Sequence, residues 1–179
     1  MIRFFGGRVM TLANGIETQD IEVWTEGSKI VFVGKPKAEE LDGKVFEREY
    51  DLKGNLLMPS FKNAHTHSAM TFLRSYADDM PLQDWLFKQI FPMEAKLDGE
   101  KVYWLTKLAI LEYLTTGCTA TFDMYFELDD YVKACIESGF RSVLCGAVSG
   151  DKSNLERLEN NYLKYNGKDP LISFMLGFH

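Results

Sequence analysis

The chain has 179 residues, of which 46% are hydrophobic and 26% are charged, with a formal net charge of −6. This apolar content is enough for one globular domain with a core, or for one domain and a small accessory one. Acidic and basic residues are interspersed without a basic stripe, which argues against nucleic acid as the main partner. No apolar run reaches the roughly 18 residues that a membrane-spanning helix requires.

The N-terminus and the cysteines favour a cytoplasmic protein. The start, MIRFFGGRVMTL, lacks the long apolar stretch and the small-residue cleavage site of a signal peptide. Cys118, Cys135 and Cys145 are odd in number and form no C-x-x-C pair, so they suit no closed disulfide framework. We expect reduced thiols that serve as small buried apolar residues.

The first part of the chain reads as a small β domain, which we place at residues 1–54. Apolar-rich runs at 21–24 and 30–33 flank a turn-like Glu-Gly-Ser, a pattern that predicts a hairpin. The segments RFFGGRVMTL and KVFEREYDL indicate further strands. Alternation through residues 45–50 is typical of a half-buried strand.

From residue 55 to residue 179 strands and helices alternate. NLLMPSF, at residues 55–61, has no alternation and is expected to be a strand buried on both faces. A helix follows near 100–116, where Asp98 can cap the start and Gly117 the end. Its expected apolar stripe includes Val102, Leu105, Leu108, Ala109, Leu111 and Leu114.

The alternation continues to the end of the sequence. Strands are predicted at 118–124, 141–148 and 171–179, and helices at 130–138 and from Ser153 to Gly167. This order implies parallel strands joined by right-handed crossovers. An open doubly wound sheet and part of a (β/α)8 barrel both fit. No G-x-G-x-x-G follows a strand, and neither a Walker phosphate loop nor G-x-S-x-G occurs.

The motif NAHTHS holds two of the three histidines, His65 and His67. Side chains two apart in a strand point to the same face, so one divalent ion can bind both. In parallel α/β folds the reactive site lies beyond the carboxyl ends of the strands, where this motif is expected. The alternative is a pair of polar loop residues that happen to be close.

Two ligands are too few for a catalytic zinc site, which uses three or more protein ligands and a water. His179 ends the fourth predicted strand at the same rim, and spacing alone makes it the third ligand. Carboxylates at the rim could add to the site, although each is more often a solvated or capping charge: Asp78, Asp79, Glu94 and Asp123.

The stretch MPSFKNAHTHSAMTFLRSYADDMPLQDWLFKQIFPMEAKL resembles the first-strand region of the amidohydrolase superfamily. It is most similar to the cytosine-deaminase-like branch, which holds S-adenosylhomocysteine/methylthioadenosine deaminases and triazine chlorohydrolases. TTGCTATFDMYF resembles the second strand of that family, and GFH its fourth. The likeness covers most of the chain and is far more specific than H-x-H alone.

The resemblance implies the N-terminal portion of a (β/α)8 TIM barrel, about four βα units, preceded by part of a small β-sandwich. It implies that His65 and His67 bind one divalent metal ion, usually zinc. It also implies that Glu94 contacts substrate, and that His179 is a substrate contact rather than a metal ligand. We therefore expect His179 to contact the substrate, as the resemblance implies.

The sequence departs from the family in two respects. Deaminases of adenosyl substrates carry an arginine in the third-strand region, whereas LCGAVSG has none and the nearest is Arg141. In the family, the remaining metal ligands, a histidine and an aspartate, come from strands five and eight, and the proton-shuttling glutamate lies there too, whereas this sequence reaches only strand four. We therefore expect a fragment, inert alone. Its fourth strand, LISFML, invites pairing with another chain, so a homo-oligomer is allowed.

The resemblance implies a hydrolase that deaminates a purine or related N-heterocycle. In the family pattern the metal lowers the pKa of a water toward about 7, and the resulting hydroxide attacks the carbon that bears the amino group. A carboxylic acid delivers protons and ammonia leaves. The runner-up is hydrolytic dechlorination or amide hydrolysis, and a further alternative is a non-catalytic truncated α/β domain. The catalytic residues themselves stay unassigned.

Overall fold

The computed structural model describes residues 1–13, 15–126, 128–148 and 153–178. The chain divides into two compact units, Met1–Pro59 and Ser60–His179. The division falls after the expected one at residue 54, because a short strand at Leu56 pairs within the first unit. Among the described residues no helix is both long and apolar enough to cross a membrane.

Two small sheets make up the first unit. Its strands are β1 (Ile2–Phe5), β2 (Arg8–Met10), β3 (Thr18–Gln19), β4 (Glu22–Glu26), β5 (Lys29–Gly34), β6 (Arg48–Asp51) and β7 (Leu56–Leu57), with a short helix α1 (Ala38–Leu41). One sheet has the order β5-β4-β1-β6 and the other the order β3-β2-β7. β4 and β5 pair antiparallel through a turn at Gly27, which confirms the predicted hairpin.

A partly buried ion pair and an aromatic cluster lie in the larger of these sheets. The Arg3 guanidinium donates to both carboxylate oxygens of Glu22, at 2.7 and 2.6 Å, and to Glu49 at 2.8 Å. These bonds hold the pKa of Glu22 below its usual range. Trp24 donates to the same carboxylate and stacks on Phe32, with ring centres 4.1 Å apart. The bidentate geometry fixes the register of β1 against β4.

The strand after residue 45 is present, but the prediction that it is half-buried is wrong. All four residues of β6 are exposed, and Val45 before it is 80% exposed. β6 is one of the two edge strands of its sheet and, among the described residues, pairs with β1 alone. One aromatic stack, between Phe4 and Tyr50, covers part of its surface.

The second unit is a parallel α/β structure. Its strands are β8 (Phe61–Thr66), β9 (Cys118–Asp123), β10 (Arg141–Val148) and β11 (Ile172–Phe178), and they form one sheet in chain order. All three strand pairs are parallel. The helices are α2 (Leu82–Asp84), α3 (Phe91–Glu94), α4 (Gly99–Thr115), α5 (Leu128–Glu137) and α6 (Ser153–Tyr165).

Between β8 and α4 the chain takes two less common helical forms. Ser68–Leu73 is a 3-10 helix directly after the H-x-H motif. Trp85–Ile90 is a π-helical segment between α2 and α3. Short 3-10 helices are common connectors, whereas π-helical segments are rare and lie frequently at functional sites.

The assignment of the first parallel strand to residues 55–61 is wrong. Leu56 and Leu57 pair with β2 in the first unit, and β8 begins only at Phe61. β8 is also not buried on both faces, since Phe61 is 61% exposed. In the part of the chain that the structure describes, β8 is an edge strand that pairs with β9 alone, so one side of it stays uncovered.

Helix α4 begins and ends where the sequence predicts. The Asp98 side chain accepts a hydrogen bond from the Lys101 N–H at the N-terminus. Gly117 follows the C-terminus with φ of 81°, a conformation that favours glycine. The expected apolar stripe is only partly correct: Val102 and Ala109 are buried, whereas three of its leucines are exposed, namely Leu108, Leu111 and Leu114.

The core of the second unit lies between the sheet and helices α4 to α6. It contains Ala69, Val102, Ile110, Tyr131, Cys135, Phe140, Leu144, Leu158, Tyr165, Ile172 and Phe174. All three cysteines are free and buried, as predicted. Burial raises the pKa of the Cys135 thiol to about 12, so this side chain packs as a neutral residue.

Gly146 in β10 lets helix α6 pack closely on the sheet. A β-carbon at this position would clash with Leu158 of α6 and lie 2.8 Å from Phe174 of β11. Both neighbours are buried and cannot move aside easily. Glycine is therefore a packing requirement here.

We expect Gly146→Ala to lower the free energy of unfolding by about 1–3 kcal/mol, because overpacking a filled core strains it. Gly99→Ala is the matched control. Its added carbon would meet only the carboxylate end of Asp130, which can rotate away. Urea unfolding of both variants measures the difference, and equal stability of the two would contradict the packing argument.

Candidate active site

A cavity of about 840 Å³ lies beside the carboxyl ends of the parallel strands in the second unit. His67 follows β8, Met124 follows β9, and Cys145 lies in β10, so three neighbouring strands contribute to it. Helical segments supply much of the remaining wall, including Trp85, Leu86, Ile90, Phe91, Glu94, Arg157, Asn161 and Lys164. Sites in parallel α/β folds lie at this edge of the sheet.

The two histidines of the motif lie side by side. Their ring centres are 5.2 Å apart and their planes are inclined by 83°. With about 2.1 Å from metal to nitrogen and about 1.1 Å from nitrogen to ring centre, two imidazoles at a tetrahedral angle have centres about 5.2 Å apart. The separation therefore fits two ligands of one tetrahedral ion.

Hydrogen bonding assigns the tautomer of His67. Its Nδ1 lies 2.7 Å from the Met124 carbonyl oxygen. Because a carbonyl can only accept, Nδ1 carries the proton and the lone pair is on Nε2. A backbone carbonyl on one ring nitrogen is the usual partner of a histidine whose other nitrogen binds a metal. The backbone N–H of His65 donates to the Asn63 side chain at 3.2 Å.

A buried carboxylate supports the turn after His67. Asp123 ends β9 and is 1% exposed. It accepts the Ser68 backbone N–H at 3.3 and 3.2 Å, and it also accepts the Ser68 hydroxyl. Burial raises the pKa of Asp123, and the bonds from Ser68 oppose that rise. Asp123 therefore serves the turn, and the structure does not bring it into a cluster of three metal-ligating side chains within the described ranges.

Glu94 and Tyr125 face each other in the cavity wall. Burial raises the pKa of Glu94, while Tyr125 and the nearby His67 act to lower it. The Tyr125 hydroxyl is buried and makes no hydrogen bond of normal geometry to any described residue. Burial and the neighbouring Glu94 raise its pKa, so it stays a neutral donor. A carboxyl and a hydroxyl are thus available to a polar ligand.

The structure brings three of the four predicted site residues into one neighbourhood. His67 and Glu94 line the cavity, and His65 lies against His67. His179 lies outside the described residues. Asp78 and Asp79, the other rim carboxylates, are exposed in the loop before α2.

Sequence reasoning missed several cavity residues. Arg157 and Lys164 of α6 line the cavity, whereas the family resemblance points only to the third-strand region for an arginine. Arg141 begins β10 and is exposed, so it lies at the opposite end of the strand from the site. The helical spacing of Arg157, Asn161 and Lys164 places them on one face, which is the signal that could have found them.

Comparison with known proteins supports the resemblance seen in the sequence. The profile of the Amidohydrolase family matches residues 56–169. A 5-methylthioadenosine/S-adenosylhomocysteine deaminase of Desulfitobacterium hafniense is 43% identical over 136 residues, which are 76% of this chain and 31% of that protein. A 5'-deoxyadenosine deaminase of Methanospirillum hungatei is 52% identical over 108 residues, 59% of this chain and 24% of that protein. The chain spans about a third of the length of such relatives.

Solved structures agree with the observed fold. An adenosine deaminase from Xanthomonas campestris with bound zinc superposes with a TM-score of 0.87 at 30% identity, over 99% of this chain and 42% of that one. The atrazine chlorohydrolase of Arthrobacter aurescens with zinc gives 0.82 at 20% identity, over 99% and 46%. The predicted α/β class and the predicted resemblance are confirmed.

Glu94 gives the stability of the chain a pH dependence of known sign. Its folded pKa lies above its ordinary value of 4.5, so the folded state binds more protons there than the unfolded state. The free energy of unfolding therefore falls as pH rises from 4.5 through the folded pKa. We expect Glu94→Gln to remove this part of the slope, as measured by urea unfolding across the acid range.

Glu112→Gln is the control for this measurement. The Arg74 hydrogen bond lowers the pKa of Glu112. The stability that the Glu112 carboxylate contributes is therefore present above its ordinary pKa and is lost as pH falls. The two variants should change the acid-range slope in opposite directions. An unchanged slope in Glu94→Gln would show that this carboxyl titrates normally.

Proposed function

The chain belongs to the amidohydrolase family, and we propose that it forms part of the active site of a metal-dependent aminohydrolase. The substrate is a purine nucleoside or a related N-heterocycle that carries an amino group. The single observation that carries the proposal is the paired histidines beside the cavity that Glu94 lines. The deaminase relatives act on adenosine derivatives, as their names state.

We propose that this chain holds the ion through His65 and His67. The ring separation and the tautomer of His67 fit that role. When bound, a zinc ion lowers the pKa of water toward neutrality and supplies the nucleophile for hydrolysis. Further ligands and the proton-transferring carboxyl are assigned to parts of the relatives that this chain does not span. The 179 residues alone are accordingly expected to be inert.

The remaining residues bind and orient the substrate. The aromatic rings of Trp85 and Phe126 line the cavity and suit a flat heterocycle. The Glu94 carboxyl contacts the polar part of the substrate, in agreement with its position beside His67. His179 is proposed as a second substrate contact. In this proposal the chain supplies half of a (β/α)8 barrel, and its four parallel strands have the required order.

The metal role is tested in the whole protein encoded by the reading frame of this chain. We expect His65→Asn and His67→Asn each to lower zinc content and deamination of 5-methylthioadenosine by at least about 100-fold, because ligand loss exceeds the usual cost of losing a supporting residue. His179→Asn should keep its zinc and raise KM about tenfold, the cost of one lost hydrogen bond. Zinc analysis and ammonia release measure the three variants.

Unchanged deamination in His65→Asn would refute the proposal. Chloride release from a chlorotriazine without ammonia release from purines would favour the chlorohydrolase alternative, since the same attack serves both reactions. Zinc binding without turnover of any compound in such a panel would favour a non-catalytic domain.

Arg157 refines the proposed substrate. It lines the cavity, as does Lys164 of the same helix, which pairs with Asp129 at 2.7 Å. A guanidinium suits a carboxylate, which S-adenosylhomocysteine carries at the end of its tail and 5-methylthioadenosine lacks. We therefore propose that tail recognition comes from α6 rather than from the third strand.

In the whole protein we expect Arg157→Gln to lower kcat/KM for S-adenosylhomocysteine about 10-fold to 100-fold, as loss of a charge-assisted hydrogen bond should. The same variant should change kcat/KM for 5-methylthioadenosine by less than about twofold, because no carboxylate is lost. Arg141→Gln is the matched control and should affect neither. Equal losses on both substrates would show that Arg157 supports the fold instead.

A further inference from the structure

One hydroxyl from helix α4 contacts both neighbours of His67. The Tyr113 Oη lies 2.6 Å from Thr66 Oγ1 and 3.0 Å from Ser68 Oγ. Thr66 separates the two histidines, and Ser68 directly follows the second. The segment that carries His65 and His67 is thus connected to helix α4, which contributes neither histidine.

Counting protons fixes the direction of this chain of hydroxyls. The Ser68 hydroxyl donates to Asp123, so it can only accept from Tyr113. Tyr113 has then used its single proton, and Thr66 must donate to it. The order is Thr66 to Tyr113 to Ser68 to Asp123, which ends on a buried carboxylate. Every donor along it has one acceptor.

We propose that Tyr113 is a positioning residue for His65 and His67, an inference that rests on the proposed function of the pair as metal ligands. The Nδ1 bond to Met124 fixes one end of the His67 ring, and the backbone on either side is held by the Met124 N–H, which donates to the Thr66 carbonyl, and by Asp123, which accepts the Ser68 N–H. Tyr113 adds side-chain hydrogen bonds at Thr66 and Ser68, which join this backbone to helix α4. Ligand geometry must be held within about 0.5 Å, which needs support of this kind.

The packing of the Tyr113 ring is separate from the hydroxyl bonds. The ring stacks on Phe140, a core residue, with centres 5.7 Å apart. Burial raises the pKa of the hydroxyl, so it is neutral and able to donate at neutral pH. Tyr113→Phe therefore removes the hydrogen bonds and keeps the stack.

The test measures the affinity of the 179-residue chain for zinc, with no substrate present, by competition with a chromogenic chelator. We expect Tyr113→Phe to weaken zinc binding about 10-fold to 100-fold, the usual cost of losing a group that orients a ligand. Tyr103→Phe is the matched control on the same helix, because its hydroxyl bonds to the exposed Glu137. It should stay within about twofold.

Variants of Thr66 keep the test sharp if Tyr113→Phe folds poorly. Thr66→Ser retains the hydroxyl and should bind zinc within about twofold of the original chain, whereas Thr66→Val should lose about tenfold. Zinc affinity unchanged in Tyr113→Phe, or lost equally in both Thr66 variants, would overturn the inference.

A metal-independent measurement separates this inference from the proposed function. NMR of the ring N–H of His67 should show a protected Nδ1 proton, with exchange at least about tenfold faster in Tyr113→Phe than in Tyr103→Phe. If the chain binds no zinc, the proposed metal role fails and this signal alone decides the positioning role. Equal protection in both variants would overturn the positioning role even where zinc binds.

Discussion

The hydrogen bond from His67 Nδ1 to the Met124 carbonyl joins the ends of two neighbouring parallel strands. Because the acceptor is a backbone atom of the segment after β9, the position of the ring depends on the pairing of β8 with β9. The same bond decides which nitrogen keeps a lone pair. The strand pairing thereby sets the tautomer of His67 as well as the position of its ring in the cavity wall.

Buried polar groups next to the histidines contribute to the stability of the fold and hold the segment that carries His67. Asp123 and the hydroxyls of Ser68 and Tyr113 sit at the junction of sheet and helix, where an apolar core would pack more simply. Burying a carboxylate is costly unless it is hydrogen-bonded, and Ser68 meets that need twice. A region built in this way holds one backbone conformation well, which suits the metal-binding role that we propose for His65 and His67.

Much of this arrangement is readable from the sequence, because it depends on short-range periodicity. The period of two in a strand brings His65 and His67 together, and Asp98 marks the start of α4. The expected position of the first parallel strand is wrong because the apolar residues of 56–61 are divided between β7 and the start of β8, and only tertiary pairing shows where the division falls. Tyr113 could not be predicted as a neighbour of Thr66, since the contact joins positions 47 residues apart.

The π-helical segment determines which side chains share the cavity wall. Trp85 and Glu94 both line it, although nine steps of an ordinary α-helix, at about 100° each, would set them on opposite sides of the axis. A π-helical turn advances about 18° less per residue, so six such residues bring the two directions within roughly 75° of each other. The π-helical segment thus changes the direction of Glu94 relative to that of Trp85. Both side chains line the same cavity because this stretch of helix has more residues per turn than an α-helix.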